Sequence, residues 1–499
     1  MTDRRARWLV WGIALLAAIR VLVFAAVDQR PHYGNWESPD LQRAMHYHYG
    51  LRGSLDWTFL EQVGRDGFKP PLWYGGVPAL FAWKPSLSAF DFLVPNALAA
   101  GLLVLLASAL GRRVGGTAGG LVAATLAAAL PGIAWRVTMV GVEPSHAVLL
   151  AASCLALVRL REEPERALRW GSALGLLLGA GALMKWNFPA YVVLPAVVAL
   201  PGQSWRRVAL GLGAAAAWSL ALFVPWATFA DLGEVLRQGA DEVSHDRGAA
   251  WLGATFLAGL GRIGTLLALG AVIAAVLRRR DQQPPAPGRT GPILLAGVLG
   301  LLLVHLLIPH KESRYLVPAY PLAAGAIAGV VHLVRRRRAL AIGGALGLLA
   351  VDSLLLPLRH PTTERFSLER LPRPIPHDYG LDALVTHPSL RARERTVVTT
   401  SVGPDAYFPV LTLLSWELYG RNPNPVLTRS DWPDVTSGPC AFDLQRSTHF
   451  LSNRELSMHE ELALRSMGFE RVVTVAPDVP DLGDVTLWAL EEGEEPRYR

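Results

Sequence analysis

The chain contains few cysteines and few charged residues for its length. Only 2 of its 499 residues are cysteine, Cys154 in an apolar stretch and Cys440 in a polar one. A bond between them is geometrically unfavourable, so no disulfide framework is expected. Charged residues make up 18% of the sequence and hydrophobic residues 51%. This balance argues against a soluble enzyme and indicates a protein that crosses the membrane many times.

Several motifs of nucleotide-dependent and metal-dependent enzymes are also missing. The sequence has no Walker motif, no Rossmann fingerprint and no Cys/His zinc pattern. Its net charge of +7 arises from short basic blocks beside apolar stretches. Such a distribution reflects membrane topology rather than a nucleic-acid surface. We therefore expect membrane lipids, and no nucleic acid, among the partners.

Long apolar runs, in contrast, are abundant. About eleven of them predict transmembrane helices, which makes the expected fold class mainly α, a polytopic helical bundle. They cover residues 8–27, 90–110, 117–135, 143–158, 168–184, 188–200, 208–229, 251–277, 291–309, 316–334 and 339–356. The first run is too long for a typical cleaved signal peptide and is interpreted as a retained anchor. Residues 71–83 form either a further span or a re-entrant segment.

Basic residues fall on every second connection between these runs, which predicts the orientation. The amino terminus is expected in the cytoplasm, and loop 28–89 on the exoplasmic side. Residues 1–358 form the predicted transmembrane domain, 359–376 a linker rich in proline and arginine, and 377–499 a soluble exoplasmic (periplasmic) α/β domain. The strands predicted there lie at 396–400, 425–427 and 471–475, and the helices at 407–419 and 457–467.

A short charged turn separates two of the late apolar runs. It consists of His310, Lys311, Glu312, Ser313, Arg314 and Tyr315. Lys311 and Arg314 carry donors suited to phosphate, and His310 can add a third. The alternative is a solvated turn whose long side chains snorkel to the membrane surface. The same two readings apply to Lys185, which ends an earlier run.

Loop 28–89 carries carboxylates at Glu37 and Asp40. A long loop of this kind, held between spans, is more often part of an active site than a random insertion. Asp40 follows Ser38 and Pro39, a sequence that can start a short helix with Asp40 near its N-terminus. Asp40 can therefore cap a helix, act as a catalytic base, or do both. Two nearby carboxylates are weak support for a divalent cation, so no metal and no cofactor are expected. Glu143, at the start of a run, is interpreted as an acid that complements a helix N-terminus.

These two segments resemble motifs of the GT-C superfamily of membrane glycosyltransferases. The turn 310–315 is similar to the His-Lys-Glu-x-Arg-Phe signature of mannosyltransferases from the dolichol-linked and GPI-anchor pathways. Ser38-Pro39-Asp40 followed by Gln42 resembles their His-Pro-Asp-Glu-x-x-Gln motif, with Ser38 in place of the histidine and Leu41 in place of the second acid.

A second branch of the superfamily offers further matches. Lys69-Pro70-Pro71-Leu72 resembles the His-Pro-Pro-Leu element of bacterial enzymes of the protein-mannosyltransferase-like and aminoarabinose-transferase-like type. Arg314-Tyr315-Leu316-Val317-Pro318 agrees with their Arg-Tyr-x-x-Pro. The resemblance covers residues 8–356 loosely and is specific only in the first loop and the late turn. Both branches imply a donor in which a sugar is linked to a polyprenyl phosphate.

The implied reaction moves mannose or a related hexose or pentose to a lipid, glycan or protein acceptor, with inversion, on the exoplasmic face. Such a transfer needs a base for the acceptor hydroxyl and a cationic site for the phosphate. We expect Asp40 as the base, with Glu37 in reserve. The expected phosphate-binding residues are His310, Lys311, Arg314 and Lys185, and the expected supporting residues are Glu312, Tyr315 and Lys69.

The main alternative is a transporter or flippase of a lipid-linked or phosphate-bearing substrate. Transporters commonly place ionisable groups near the bilayer midplane and often show repeated halves. The spans predicted here are poor in central charges, and no repeat is apparent. A non-catalytic scaffold that displays the 377–499 segment ranks third, because it does not explain why acids and cations gather on one face.

Overall fold

The computed structural model describes two compact units of this integral membrane protein. Unit 1 comprises Met1–Phe24, Asp56–Gly76 and Leu93–Arg373, and unit 2 comprises Ala25–Leu55, Val77–Phe92 and Pro374–Arg499. Within them the described residues are 3–27, 44, 47–48, 71–84, 87, 89–228, 230, 248–280, 290–308, 313–333, 357–358, 371–372, 384, 387–390, 397–401, 426–429, 447–452, 456–476 and 484–490.

Helices dominate the described part of the chain. In chain order they are α1 (Asp3–Val27), α2 (Pro71–Leu80), α3 (Ala89–Ala129), α4 (Pro131–Arg136), α5 (Glu143–Glu162), α6 (Ala167–Met184), α7 (Phe188–Ala199), α8 (Trp205–Ala227), α9 (Ala249–Arg280), α10 (Thr290–Leu307) and α11 (Ala319–Ile327). Short 3₁₀ turns lie at Pro164–Arg166, Ser313–Leu316 and Ala328–Leu333.

Six of the described helices are long and apolar enough to cross a membrane, or seven if a bent pair within α9 counts as one span. The expected number of about eleven is therefore not confirmed. Predicted spans 90–110 and 117–135 fall largely in the single helix α3, which non-helical backbone interrupts at Gly115 and Gly116. Two further predicted spans, 188–200 and 316–334, correspond to short apolar helices. The predicted span 339–356 lies outside the described residues.

Small residues bring the helices of unit 1 close together. A Cβ added at Gly171 of α6 would lie 2.2 Å from the carbonyl oxygen of Gly211 in α8. Such backbone contact is typical of helices in membranes, where small residues replace the hydrophobic driving force. Large apolar side chains on α1 and α8, such as Trp11 and Trp218, are exposed. These outer faces suit contact with lipid tails.

The strands among the described residues form two sheets. A parallel pair, β1 (Pro357–Leu358) and β2 (Leu371–Pro372), belongs to unit 1. Unit 2 contains β3 (Val397–Ser401), β4 (Val426–Arg429), β5 (His449–Ser452), β6 (Phe469–Val475) and β7 (Val485–Leu490), in the spatial order β4-β3-β5-β7-β6. In this mixed sheet β3 runs parallel to β4 and β5, whereas β7 runs antiparallel to β5 and β6.

One helix accompanies this sheet in the described residues of unit 2. Helix α12 (Met458–Ser466) begins with a capping box between Ser457 and Glu460, and Leu464 belongs to a core with Phe450 and Trp488. Strands β3, β4 and β6 and helix α12 lie where strands 396–400, 425–427 and 471–475 and helix 457–467 were predicted. The predicted helix 407–419 lies outside the described residues, and the extent of the domain, 377–499, stays a prediction.

Candidate functional site

A buried ion pair joins the end of α4 to the start of α5 in unit 1. The Oε2 atom of Glu143 accepts two hydrogen bonds from Arg136, one from Nε at 3.1 Å and one from Nη2 at 2.6 Å. Two donors from one planar guanidinium fix the orientation of the carboxylate as well as its charge. The two residues are 7 apart in sequence, and the turn of residues 137–142 between them brings their side chains together.

Gly141, in this turn, leaves room for the ion pair. A Cβ at this position would lie 2.2 Å from Arg136 Nη2 and 2.7 Å from Glu143 Oε2. Any side chain there would displace one partner of the ion pair. The glycine is therefore required by the close approach of the charged groups.

A second guanidinium reaches the same carboxylate from a distant part of the chain. Arg314 Nε lies 3.5 Å from Glu143 Oε1, so each carboxylate oxygen faces its own arginine. Arg314 belongs to the 3₁₀ turn Ser313–Leu316, which includes the last three residues of the charged turn found in the sequence. The fold thus joins that turn to the first residue of α5.

Tyr315 connects the arginine to a lysine. The Nζ atom of Lys185, just after the last residue of α6, lies 3.2 Å from the centroid of the Tyr315 ring. The guanidinium carbon of Arg314 lies 5.2 Å from the same centroid. Cations are attracted to the negative face of an aromatic ring, more strongly where water is excluded. The ring therefore holds two cationic side chains close together.

Polar aromatic residues line the other side of this arrangement within unit 1. His305 stacks on Tyr315 with a centroid distance of 5.2 Å and an interplanar angle of 14°. The Nε2 atom of His305 and the hydroxyl of Tyr191 are hydrogen-bonded, 3.0 Å apart. His146, one turn along α5 from Glu143, packs on Tyr191 and Phe188. We call Arg136, Glu143, Lys185, Arg314 and Tyr315 the cationic cluster.

The electrostatics of the cationic cluster favour binding of an anion. Three cationic side chains converge on one carboxylate and one phenol ring, and Arg136 and Glu143 are buried. Taking such charges out of water costs several kcal/mol per ion, so a buried ion pair is weak support for stability alone. Polar groups of this kind inside a membrane protein are usually functional. Guanidinium and ammonium donors in one place match the oxygens of a phosphate.

The structure brings together three of the nine site residues predicted from the sequence: Lys185, Arg314 and Tyr315. The other six are Asp40, Glu37, Lys69, His310, Lys311 and Glu312, and all of them lie outside the described residues. Their predicted roles stay predictions. Tyr315 was predicted as a supporting residue, and its ring contacts both Lys185 and Arg314.

Sequence reasoning missed Arg136 and the ion pairs of Glu143. Glu143 is the first residue of α5, as expected of an acid at a helix N-terminus, but its carboxylate pairs with two arginines. One signal was available: Arg136 and Glu143 enclose a short turn between two apolar runs, where unpaired charges would be costly. The partner Arg314 could not be found this way because it lies far along the chain.

A second buried carboxylate belongs to unit 2. Lys84 Nζ lies 2.6 Å and 2.8 Å from the two carboxylate oxygens of Asp91, in the first turn of α3. The Nε2 atom of His48 lies 3.1 Å from the carbonyl oxygen of Lys84. Within the predicted loop 28–89, Lys84 thus contacts His48, and it also holds Asp91 just beyond the loop. In the described part of the chain, no group of three or more side chains suited to a metal ion is present.

Comparison with known families finds one match. The family described as dolichyl-phosphate-mannose-protein mannosyltransferase matches residues 81–229, a range that includes Arg136, Glu143 and Lys185. No curated protein sequence matches the chain significantly.

Solved structures match over nearly the whole length. ArnT from Cupriavidus metallidurans in the apo state has a TM-score of 0.60 at 17% identity, covering 96% of this chain and 97% of that one. Its complex with undecaprenyl phosphate gives 0.57 at 16% identity, covering 98% and 99%.

Two larger proteins are also similar. AglB, an oligosaccharyltransferase from Archaeoglobus fulgidus solved with an inhibitory peptide and a dolichol-phosphate, has a TM-score of 0.55 at 12% identity, covering 89% of this chain and 69% of that one. The arabinofuranosyltransferase AftD from Mycobacteria gives 0.54 at 15% identity, covering 98% and 42%. The chain thus shares the fold of these solved structures, and this likeness supports the GT-C resemblance predicted from its motifs.

Proposed function

We propose that this protein transfers a sugar from a polyprenyl-phosphate donor to a lipid, glycan or protein acceptor. The observation that carries the proposal is the convergence of Lys185 and Arg314 on Tyr315, beside the buried Glu143. The ligands of the similar structures support the donor class, since ArnT was solved with undecaprenyl phosphate and AglB with a dolichol-phosphate. The sugar is mannose or a related hexose or pentose.

In the proposed reaction the cationic cluster binds the donor phosphate. Lys185 and Arg314 contact its oxygens, and Glu143 orients the guanidinium of Arg314 through the 3.5 Å contact between them. His310 and Lys311, which precede Arg314 in sequence, supply further donors. Negative charge grows on the phosphate as the bond to the sugar breaks, so fixed cations stabilise the transition state more than the ground state.

Asp40 is the proposed general base, with Glu37 in reserve. It accepts the proton of an acceptor hydroxyl while that oxygen forms a bond to the anomeric carbon. The bond from this carbon to the phosphate oxygen breaks, and the polyprenyl phosphate leaves with the electron pair. The configuration at the anomeric carbon inverts. The leaving group is already a phosphate, so the proposed reaction needs no nucleotide. We propose no cofactor and no metal for it, because two nearby carboxylates are weak support for a divalent cation.

The proposed orientation puts this reaction on the exoplasmic face. Helix α5 begins with Glu143 and carries Arg159 and Arg161 in its last turn, so the basic block and the cationic cluster lie at opposite ends of one helix. Basic connections face the cytoplasm. The amino terminus is then cytoplasmic, and the segment 377–499 exoplasmic.

The test is transfer of radiolabelled sugar from a panel of polyprenyl-phosphate sugars to membrane extract, with wild type beside two variants. Asp40→Asn should abolish turnover and leave donor binding intact, because it removes the base and keeps the shape. Arg314→Ala should weaken donor binding about tenfold or more, since hydrogen bonds to charged groups contribute about 1.5–3 kcal/mol.

Arg159→Ala is the matched control, because it removes an arginine at the opposite end of α5 and should leave binding and turnover unchanged. Full turnover in Asp40→Asn would refute the assignment of the base. Saturable donor binding without product from any donor would favour transport of a lipid-linked substrate instead.

A further inference from the structure

Two buried residues lie directly behind Tyr315 in unit 1. His305, in the last turn of α10, stacks on the Tyr315 ring, and Tyr191 of α7 is hydrogen-bonded to the far edge of His305. Both are buried. The proposed function assigns neither of them a role.

The backbones of α7 and α10 approach closely at this point. A Cβ added at Gly300 would lie 3.2 Å from the carbonyl oxygen of Tyr191. Gly300 lies just over one turn before His305, so the close approach brings the Tyr191 hydroxyl within reach of the imidazole. The hydrogen bond is therefore built into the packing of the two helices.

The hydrogen bond between Tyr191 and His305 affects the orientation of the Tyr315 ring. A stacked imidazole restricts the tilt of the phenol ring, and the hydrogen bond to Tyr191 restricts the imidazole in turn. Lys185 Nζ lies 3.2 Å from the centroid of that same ring, and Arg314 lies beside it. A rotation of the ring would move the surface on which both cations rest.

We propose that Tyr191 and His305 are positioning residues for phosphate binding. They hold the Tyr315 ring, and through it Lys185 and Arg314, in the arrangement that receives the donor phosphate. This inference rests on the proposed function and extends it to residues that touch neither substrate nor phosphate.

The first test measures the affinity of the purified full chain for undecaprenyl phosphate. Tyr191→Phe removes one hydroxyl and keeps the ring, and should weaken binding about three- to tenfold, the range expected for one buried hydrogen bond. Lys185→Met removes a cation that touches Tyr315 and should weaken binding further. If transfer activity is measurable, Tyr191→Phe should raise KM for the donor and leave kcat nearly unchanged.

Tyr320→Phe is the matched control. Tyr320 is also buried in unit 1, and its hydroxyl donates to the carbonyl oxygen of Thr255 at 3.5 Å, a contact separate from the cationic cluster. This variant should show wild-type affinity, whatever its melting temperature. Equal weakening in Tyr191→Phe and Tyr320→Phe would indicate a general packing effect and overturn the inference.

Failure of the inference and failure of the proposed function give different results. If Lys185→Met loses affinity and Tyr191→Phe binds as wild type, the proposed function stands and the positioning role is wrong. If the wild type does not bind undecaprenyl phosphate, the proposed function fails. A double-mutant cycle on the free energy of unfolding, with Tyr191→Phe and Tyr315→Leu, then decides whether Tyr191 holds Tyr315. Coupled effects would retain that part of the inference, and additive effects would refute it.

Discussion

The two ends of helix α5 carry the same chemical groups in opposite environments. Glu143, its first residue, pairs with Arg136 and Arg314. Glu163, which follows its last residue, pairs with Arg159 and Arg166. One carboxylate and two guanidinium groups are present in each case, separated by a helix of 20 residues that spans about 30 Å.

Burial distinguishes the two groups. The side chains of Glu143, Arg136 and Arg314 are 4%, 2% and 12% exposed. Those of Glu163, Arg159 and Arg166 are 20%, 38% and 56% exposed. Solvent screens the second group, so its ion pairs contribute little to stability, whereas the first group carries a large desolvation cost. The buried group is therefore weak support for stability alone, which fits the phosphate-binding role proposed for it.

The sharpest test of this difference removes one arginine from each group. Arg136→Ala removes both short hydrogen bonds of the buried Glu143 and leaves its charge facing Arg314 and, at longer range, Lys185. It should lower the free energy of unfolding by about 3 kcal/mol, the lower end of the range for a broken buried pair. Arg166→Ala should leave the stability close to that of the wild type. Thermal unfolding in detergent, compared for both variants in the same buffer, measures the difference.

Similar melting temperatures for Arg136→Ala and Arg166→Ala would contradict the comparison. Such a result would mean that water reaches Glu143 in the membrane and that the cationic cluster is solvated. Arg136→Lys separates the effect of the charge from that of the hydrogen bonds, because it keeps the charge and loses the planar two-donor contact. We expect it to fall between Arg136→Ala and the wild type.

A smaller effect is expected from the turn that holds the buried pair. Gly141→Ala places a Cβ 2.2 Å from Arg136 Nη2, so the guanidinium or the turn must shift. Overpacking of this kind costs about 1–3 kcal/mol. Gly213→Ala in α8 is the matched control, because nothing lies within 4 Å of its added Cβ. It should leave stability unchanged or raise it slightly, since alanine favours a helix.

Urea unfolding of Gly141→Ala and Gly213→Ala in the same detergent provides the measurement. If Gly141→Ala proved as stable as Gly213→Ala, the inference that the ion pair leaves no room for a side chain at position 141 would be refuted. The affinity for undecaprenyl phosphate should fall in Gly141→Ala only, because Glu143 then orients Arg314 less well.

Part of the candidate site could be predicted from sequence, because each residue found this way stands out locally. Lys185 ends an apolar run, and Arg314 and Tyr315 belong to a charged turn with a recognisable motif. Glu143 also stood out, but a local rule on helix dipoles explained it sufficiently. Its pairing with Arg314 depends on the tertiary fold. His305 and Tyr191 give no signal at all, since single polar residues in apolar runs are common.

The expected count of about eleven spans is not confirmed by the described helices, for a related reason. Hydropathy measures the apolar length of a segment, and it does not reveal whether two apolar segments join into one helix or how short the helix inside a segment is. Gly116 has a φ of 65°, which interrupts α3 between two predicted spans. Helix α7 has only 12 residues and Tyr191 and Phe188 on it are buried, so its apolar character reflects packing within the protein as well as contact with lipid.

The exposed group offers the smallest effect, a pH dependence. The hydrogen bond that Trp170 Nε1 donates to Glu163 lowers the pKa of this carboxyl below its ordinary value of 4.5, and Arg159 and Arg166 lower it further, against the opposing effect of burial. Because the folded-state pKa is the lower one, the stabilisation is present above pH 4.5 and is lost as the pH falls through the folded-state pKa.

Glu163→Gln should therefore lower the melting temperature slightly at neutral pH, and the difference from wild type should vanish in acid. Trp170→Phe removes the main donor and should shift the loss toward the ordinary pKa. A difference that grew in acid would reverse the sign of this argument and show that Glu163 is held in its protonated form.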